Sequence, residues 1–92
     1  MKKILILVTT KGCEACNIMR RLVNKALSYD MIQAKSIHYK EMDVAEYNKS
    51  EYKQKDIKDF PSLLIIRDTK TQHVIQGTLS VPNIIELCTK YF

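Results

Sequence analysis

The sequence is short of everything that marks a non-globular chain. Its 92 residues include two glycines, two prolines, three cysteines and no tryptophan. That little glycine and proline excludes collagen-like, linker-like and low-complexity readings. Three cysteines are too few for a disulfide-stapled secreted mini-protein, and an odd number leaves one outside any intramolecular pairing, which favours a reducing compartment. Long apolar runs are absent too. Ile4 to Val8 spans only five residues, where a secretory leader core needs about 7–15 and a membrane span about 20. Met1-Lys2-Lys3 therefore reads as the approach to a strand, and a cytoplasmic protein without membrane contact is expected. No run of five or more like charges occurs, and Lys25, Lys35, Lys40, Lys49, Lys53, Lys58, Lys70 and Lys90 are scattered among acids. The net charge of +5 is expected to be a solvated surface, not a nucleic-acid footprint.

What remains is 46% hydrophobic residues, enough for one compact domain over 1–92 with a thin core and little room for a deep cofactor cavity. Ile4-Leu5-Ile6-Leu7-Val8 does not alternate and suits a central strand buried on both faces. After Thr9-Thr10-Lys11-Gly12 a helical period begins, with Ala15, Ile18, Met19, Leu22, Val23, Ala26 and Leu27 on one face of a helix over Cys13 to Ser28. Ser36 to Val44 reads as a more exposed strand, joined to the first by a right-handed parallel crossover. Ala45 to Lys55 predicts a surface helix whose large apolar residues are Tyr47 and Tyr52. Phe60-Pro61 is a non-helical joint. Leu63 to Arg67 is a second unalternated strand, Asp68-Thr69-Lys70-Thr71 a turn, and Val74-Ile75 a short return strand. Ser80 and Pro82 open a last helix carrying Ile84, Ile85, Leu87, Cys88 and Tyr91. The expected class is α/β in the order βαβ-α-ββα, a four-stranded mixed sheet flanked by three helices.

Cys13-Glu14-Ala15-Cys16 is where chemistry is expected. Two cysteines three apart on the first turn of a helix lie within disulfide range of each other. The helix N-terminus favours an anion at the first, so Cys13 is the expected nucleophile and Cys16, one turn in, the resolving thiol. A zinc half-site is the competing reading. It would need two more ligands from His38, His73 and Cys88, none paired at a ligand spacing, so no metal is expected. Cys88 lies at core spacing on the last helix and reads as a small buried hydrophobe. His38 and His73 read as surface or hairpin residues, and the five tyrosines as packing at sheet and helix edges.

With Cys13-x-x-Cys16 after the first strand and Phe60-Pro61 before the third, the chain resembles the thioredoxin fold over its whole length. Its minimal size is similar to glutaredoxins and small glutaredoxin-like thioredoxins. Phe60-Pro61-Ser62-Leu63 followed by Gly77-Thr78-Leu79-Ser80 is similar to a thioredoxin pattern, while Lys11 matches a basic residue of glutaredoxins. The resemblance implies that Pro61 is a cis-proline facing the disulfide, that the Phe60 backbone pairs with substrate, and that Gly12 and Gly77 complete a groove. It implies a thiol-disulfide oxidoreductase with no bound cofactor, acting as a monomer on protein disulfides, ribonucleotide reductase among them. Recharging would come from a flavin disulfide reductase or, in the glutaredoxin alternative, from glutathione. The chain departs from these families at Leu7, where thioredoxins carry a buried aspartate, at Gly12, where they carry tryptophan, and at Glu14-Ala15, where many glutaredoxins carry Pro-Tyr. The glutathione loop of glutaredoxins appears as Gly77 to Val81 without its second glycine or its aspartate. A non-enzymatic adaptor on the same fold, with the cysteines as metal ligands or a redox latch, is the remaining alternative.

Overall fold

The computed structural model describes residues 2–92, apart from the side chain of residue 72. Four strands form one sheet in the order β2-β1-β3-β4, from β1 (Lys3–Thr9), β2 (His38–Asp43), β3 (Ser62–Arg67) and β4 (Lys70–Gln76). β1 and β2 are parallel, and the β1–β3 and β3–β4 pairs are antiparallel. The two unalternated apolar runs occupy the centre, where both faces are covered and polar side chains have no place.

Successive side chains of a strand point to opposite faces, so β1 feeds two cores. Leu5 and Leu7 pack with Met19, Val23 and Ala26 of α1 (Glu14–Leu27), with Leu63 and Ile65 of β3, and with Ile84 and Cys88 of α4 (Val81–Tyr91). Ile4, Ile6 and Val8 face the other side, with Leu64, Ile66, Met42 and Tyr47. Each large aliphatic side chain withdrawn from water there contributes about 1.5–3 kcal/mol. Cys88 is 1% exposed, and burial pushes its thiol pKa up to about 11 against a lowering influence of Lys35.

The helix ends follow their capping chemistry. Cys13 is the N-cap of α1, with Ser28 at its C-cap. The Ser80 hydroxyl accepts the Asn83 N–H at 3.3 Å, with Pro82 in the first turn of α4. Pro at that position removes a donor that would have no partner in the helix.

Four features differ from the sequence-based expectation. The helix expected over Ala45 to Lys55 is α3 (Val44–Lys49), capped by Asp43, whose carboxylate accepts the Glu46 N–H at 2.8 Å. It ends because the Ser50 hydroxyl donates to the Tyr47 carbonyl at 2.8 Å, and the following residues have no apolar stripe to bury. Tyr47 is not an edge residue but is fully buried. The return strand is longer than Val74-Ile75, because the turn is only Asp68-Thr69, both left-handed (φ 54° and 71°), the two-residue hairpin geometry that matches strand twist. A one-turn α2 (Asp30–Gln33) follows α1 and buries Ile32, so four helical segments flank the sheet where three were expected.

Candidate active site

The site is built where β1 hands over to α1. Thr9 ends the strand, and Gly12 turns the chain with φ +73°, a left-handed conformation that an L side chain resists. Cys13 then caps α1 from an extended conformation (φ −93°, ψ 102°). Its Sγ accepts the Cys16 N–H at 3.0 Å and is bonded to the Cys16 Sγ, with the two Cα atoms 5.2 Å apart. Cys13 is partly exposed, while Cys16, one turn in, is 1% exposed. One sulfur is presented to solvent and aimed at by a helix amide; the other is sheltered behind it.

Beside the disulfide opens a cavity of about 370 Å³. Thr9, Thr10 and Gly12 line it from the β1–α1 turn, and Cys13, Glu14, Cys16, Asn17 and Arg20 from the helix. Arg20 is held in place: its Nε donates to Glu41 of β2 at 2.5 Å and its Nη1 to the Asn17 amide oxygen at 2.7 Å. The hydroxyl of Tyr39 donates to the same Glu41 oxygen at 3.2 Å. Hydrogen bonding and charge from Glu41 raise the Arg20 pKa, and burial followed by Glu41 raises that of the Tyr39 phenol. Arg20 thus stays cationic and Tyr39 neutral. Sequence reasoning missed this cluster, although Asn17 and Arg20 recur four residues after Cys13 and Cys16, on the same helical face.

The second half of the site comes from β3 and its approach. The Phe60–Pro61 bond is cis, and β3 begins one residue later. Ser62 pairs with Val8, so the antiparallel register brings Pro61 level with Thr9, which lines the disulfide cavity. Gly77 donates its N–H to the Pro61 carbonyl at 2.8 Å and has φ +103°. A Cβ at Gly12 or Gly77 would meet nothing within 4 Å, so both lie against open space. Neither the N–H nor the carbonyl of Phe60 has a hydrogen-bond partner among the described residues. Lys11 is exposed in the turn before Cys13, outside the cavity lining.

Of the residues singled out in the sequence, Cys13, Cys16 and Gly12 lie together, Phe60, Pro61 and Gly77 lie together at the same sheet end, and Lys11 stands apart. Cys88 belongs to the core under α1 and α4. His38 and His73 are exposed, the latter stacked on Tyr91 with ring centroids 5.7 Å apart. Among the described residues, no three His, Cys, Asp or Glu side chains gather as a metal-ligand cluster.

No family model and no curated protein matches the chain. Solved structures do. Thioredoxin-2 of the malaria parasite, described as a component of that organism's protein secretion machinery, is 20% identical over 97% of this chain and 82% of its own, with a TM-score of 0.75. A thioredoxin-like protein from Bacillus cereus is 18% identical over 99% and 90%, with a TM-score of 0.67. The oxidised thioredoxin of Plasmodium falciparum is 12% identical over 98% and 81%, with a TM-score of 0.72. These likenesses establish the thioredoxin fold, with a Cys-x-x-Cys disulfide at the start of its first helix.

Proposed function

We propose that the protein is a thiol-disulfide oxidoreductase that reduces protein disulfides. The supporting observation is the asymmetry of the sulfur pair: Cys13 is partly exposed at the helix N-cap with the Cys16 amide directed at its Sγ, and Cys16 is sheltered. An N–H donor and the helix dipole stabilise a thiolate at Cys13. That thiolate attacks one sulfur of the target disulfide, forming a mixed disulfide and releasing the other target sulfur as a thiolate. Cys16, deprotonated, then attacks the Cys13 Sγ, forming the Cys13–Cys16 bond and releasing the second target sulfur. Two electrons and, at neutral pH, two protons pass from the protein to the target. The open space at Gly12 and Gly77 admits an extended target segment, and the unpartnered Phe60 backbone offers it a hydrogen-bonding edge.

A flavin disulfide reductase is the favoured source of recharging electrons. The Gly77 to Val81 segment lacks the second glycine and the aspartate of a glutathione loop, and Lys11 lies outside the cavity. Such a cycle suits a monomer in a reducing cytoplasm. The test measures reduction of a protein disulfide and of a glutathione mixed disulfide, each with a flavin reductase system and with glutathione as donor. Activity on the protein disulfide is expected, abolished in Cys13→Ser and stalled as a trapped mixed disulfide in Cys16→Ser. Faster turnover with glutathione would move the protein to the glutaredoxin type. Inactivity in every combination would leave the fold as a binding module.

A further inference from the structure

β4 ends at Gln76, which stands opposite Ser62 in the antiparallel register, and by strand alternation both side chains point to the face where Val8, Leu64 and Val74 pack. Residues 57–60 arrive over that face, with Ile57 buried in the same core. They belong to no strand or helix, so no ladder satisfies their backbone groups. Gln76 Oε1 accepts the Lys58 N–H at 3.0 Å and the Asp59 N–H at 3.1 Å. Two donors converging on one terminal atom require the amide oxygen there, and its two lone pairs serve both. From the other side the fully buried Ser62 hydroxyl donates to the Asp59 carbonyl at 2.8 Å.

Both backbone groups of Asp59 are thereby engaged. The Pro61 carbonyl accepts the N–H of Gly77, the residue after Gln76, and Pro61 has no N–H to place. Phe60, between them, has neither backbone group engaged among the described residues, while its ring packs against the core of the α3 face. One backbone unit is thus held on both flanks by the end of β4 and left open in the middle. Tyr47 ties the same segment farther back, at Gln54 and Lys55; the direction of the last residues before Pro61 is set at Gln76 and Ser62.

We infer that Gln76 is a positioning residue for target recognition, with Ser62 as its cross-strand counterpart: it orients the Phe60 N–H and carbonyl for pairing with the backbone of an extended target. The inference rests on the oxidoreductase function proposed above and adds a substrate class to it, disulfides carried by extended peptide segments in preference to small disulfides without a backbone. An edge oriented before binding spares the complex the ordering of that edge. Gln76 does not line the disulfide cavity, so its contribution lies in binding the target and not in sulfur chemistry.

The test mixes pre-reduced protein with two disulfides that share a chromophoric leaving group: an extended peptide whose cysteine is joined to thionitrobenzoate, and dithiobis(nitrobenzoate), which has no peptide backbone. In both, the Cys13–Cys16 dithiol is oxidised to the disulfide, the probe is reduced to two thiols, and released thionitrobenzoate is read by absorbance. Gln76→Met keeps the side-chain length and loses the acceptor, while Gln76→Glu keeps an oxygen there. In Gln76→Met the peptide concentration giving half the maximal rate is expected to rise about fivefold, the scale of one net backbone hydrogen bond. Its maximal rate, and its rate on dithiobis(nitrobenzoate), are expected to stay unchanged, and Gln76→Glu is expected to restore peptide binding. Amide exchange is expected to quicken at Lys58 and Asp59 and to stay slow through Leu63 to Ile66, where the fold is intact. Equal losses on both probes would make Gln76 merely structural, and no loss on either would leave it without a role; both results overturn the positioning while the oxidoreductase function stands. A wild type that reacts with neither probe, or a Cys13→Ser variant as active as the wild type, would overturn that function and the positioning with it.

Discussion

Residues 50–60 connect α3 to β3 without regular structure, yet they deliver Pro61 to the sheet end where Thr9 lines the disulfide cavity. Tyr47 is what fastens them. Its ring is fully buried against the α3 face of the sheet. Its hydroxyl donates to the Lys55 carbonyl at 2.8 Å and accepts the Gln54 N–H at 3.2 Å. Tyr47→Phe keeps the ring and removes both bonds, stranding two part-buried backbone groups. Two net hydrogen bonds of that kind amount to about 1–2 kcal/mol, which in a domain of this length lowers the melting temperature by about 5–15 °C. Thermal unfolding followed by circular dichroism reads that shift, with Tyr39→Phe as the control, because its bond to Glu41 is exposed. Trypsin reads the local consequence, since Lys53, Lys55 and Lys58 lie on the released segment and are expected to be cut faster. A Tyr47→Phe protein that melts with the wild type and is cut no faster would refute the assignment of the phenol as the fastening of this segment.

Two further expectations concern the cysteines. A carboxylate next to Cys13 opposes thiolate formation there, so Glu14→Gln is expected to leave more Cys13 ionised at a given pH and to raise the reduction potential; an unchanged thiolate absorbance titration and an unchanged redox equilibrium would exclude this. Cys88 is expected to react with a thiol reagent only after denaturation, so the oxidised protein titrates no thiol when folded and one when unfolded. Because folding raises the Cys88 pKa from its ordinary 9.0 to about 11, its contribution to stability is complete below about 9 and is lost as pH rises through 11. The difference in denaturant midpoint between wild type and Cys88→Ala is therefore expected to shrink over that window, and a constant difference would contradict it.

The parts of the fold legible in the sequence are those where one physical effect dominates. β1 and β3 announce themselves because a strand covered on both faces has no polar position, and α1 and α4 because an apolar stripe and a cap agree. The reactive pair was legible for the same reason: its spacing, Gly12 and the helix start coincide. Where effects compete, the sequence misleads. Helix formers continue to Lys55, but α3 stops at Lys49 because Ser50 satisfies the last turn, and Tyr47 is the residue of this helix that is fully buried. The hairpin turn carries Asp68 and Thr69 in left-handed conformations without a glycine, so its two-residue length was hidden. The Asp68 N–H donates to the Lys2 carbonyl at 3.0 Å and its carboxylate accepts the Lys2 N–H, contacts between residues far apart in the chain. The Arg20–Glu41–Tyr39 cluster and the Ser62–Gln76 pair also depend on strand register, and no local pattern encodes register.

Leu7 shows how the thin core and the chemistry meet. It is fully buried in the centre of β1, where thioredoxins carry a proton-accepting aspartate, and the buried polar side chain among the described residues is Ser62. An ionised carboxylate at position 7 would need partners that the surrounding leucines and isoleucines do not offer, at a cost of several kcal/mol to a chain of 92 residues. Without it, no buried carboxylate among the described residues stands ready to accept the proton that Cys16 releases in the proposed exchange. The cavity beside the disulfide supplies the route: Cys16 lines it together with Thr9, Thr10 and Asn17, so hydroxyl and amide groups lead from the sheltered sulfur to solvent. Arg20, paired with Glu41, keeps that route polar, and the exposed Glu14 carboxylate lines the same cavity. On the function proposed above, the resolving step then depends on solvent access at the helix face, through the cavity that Cys16 lines.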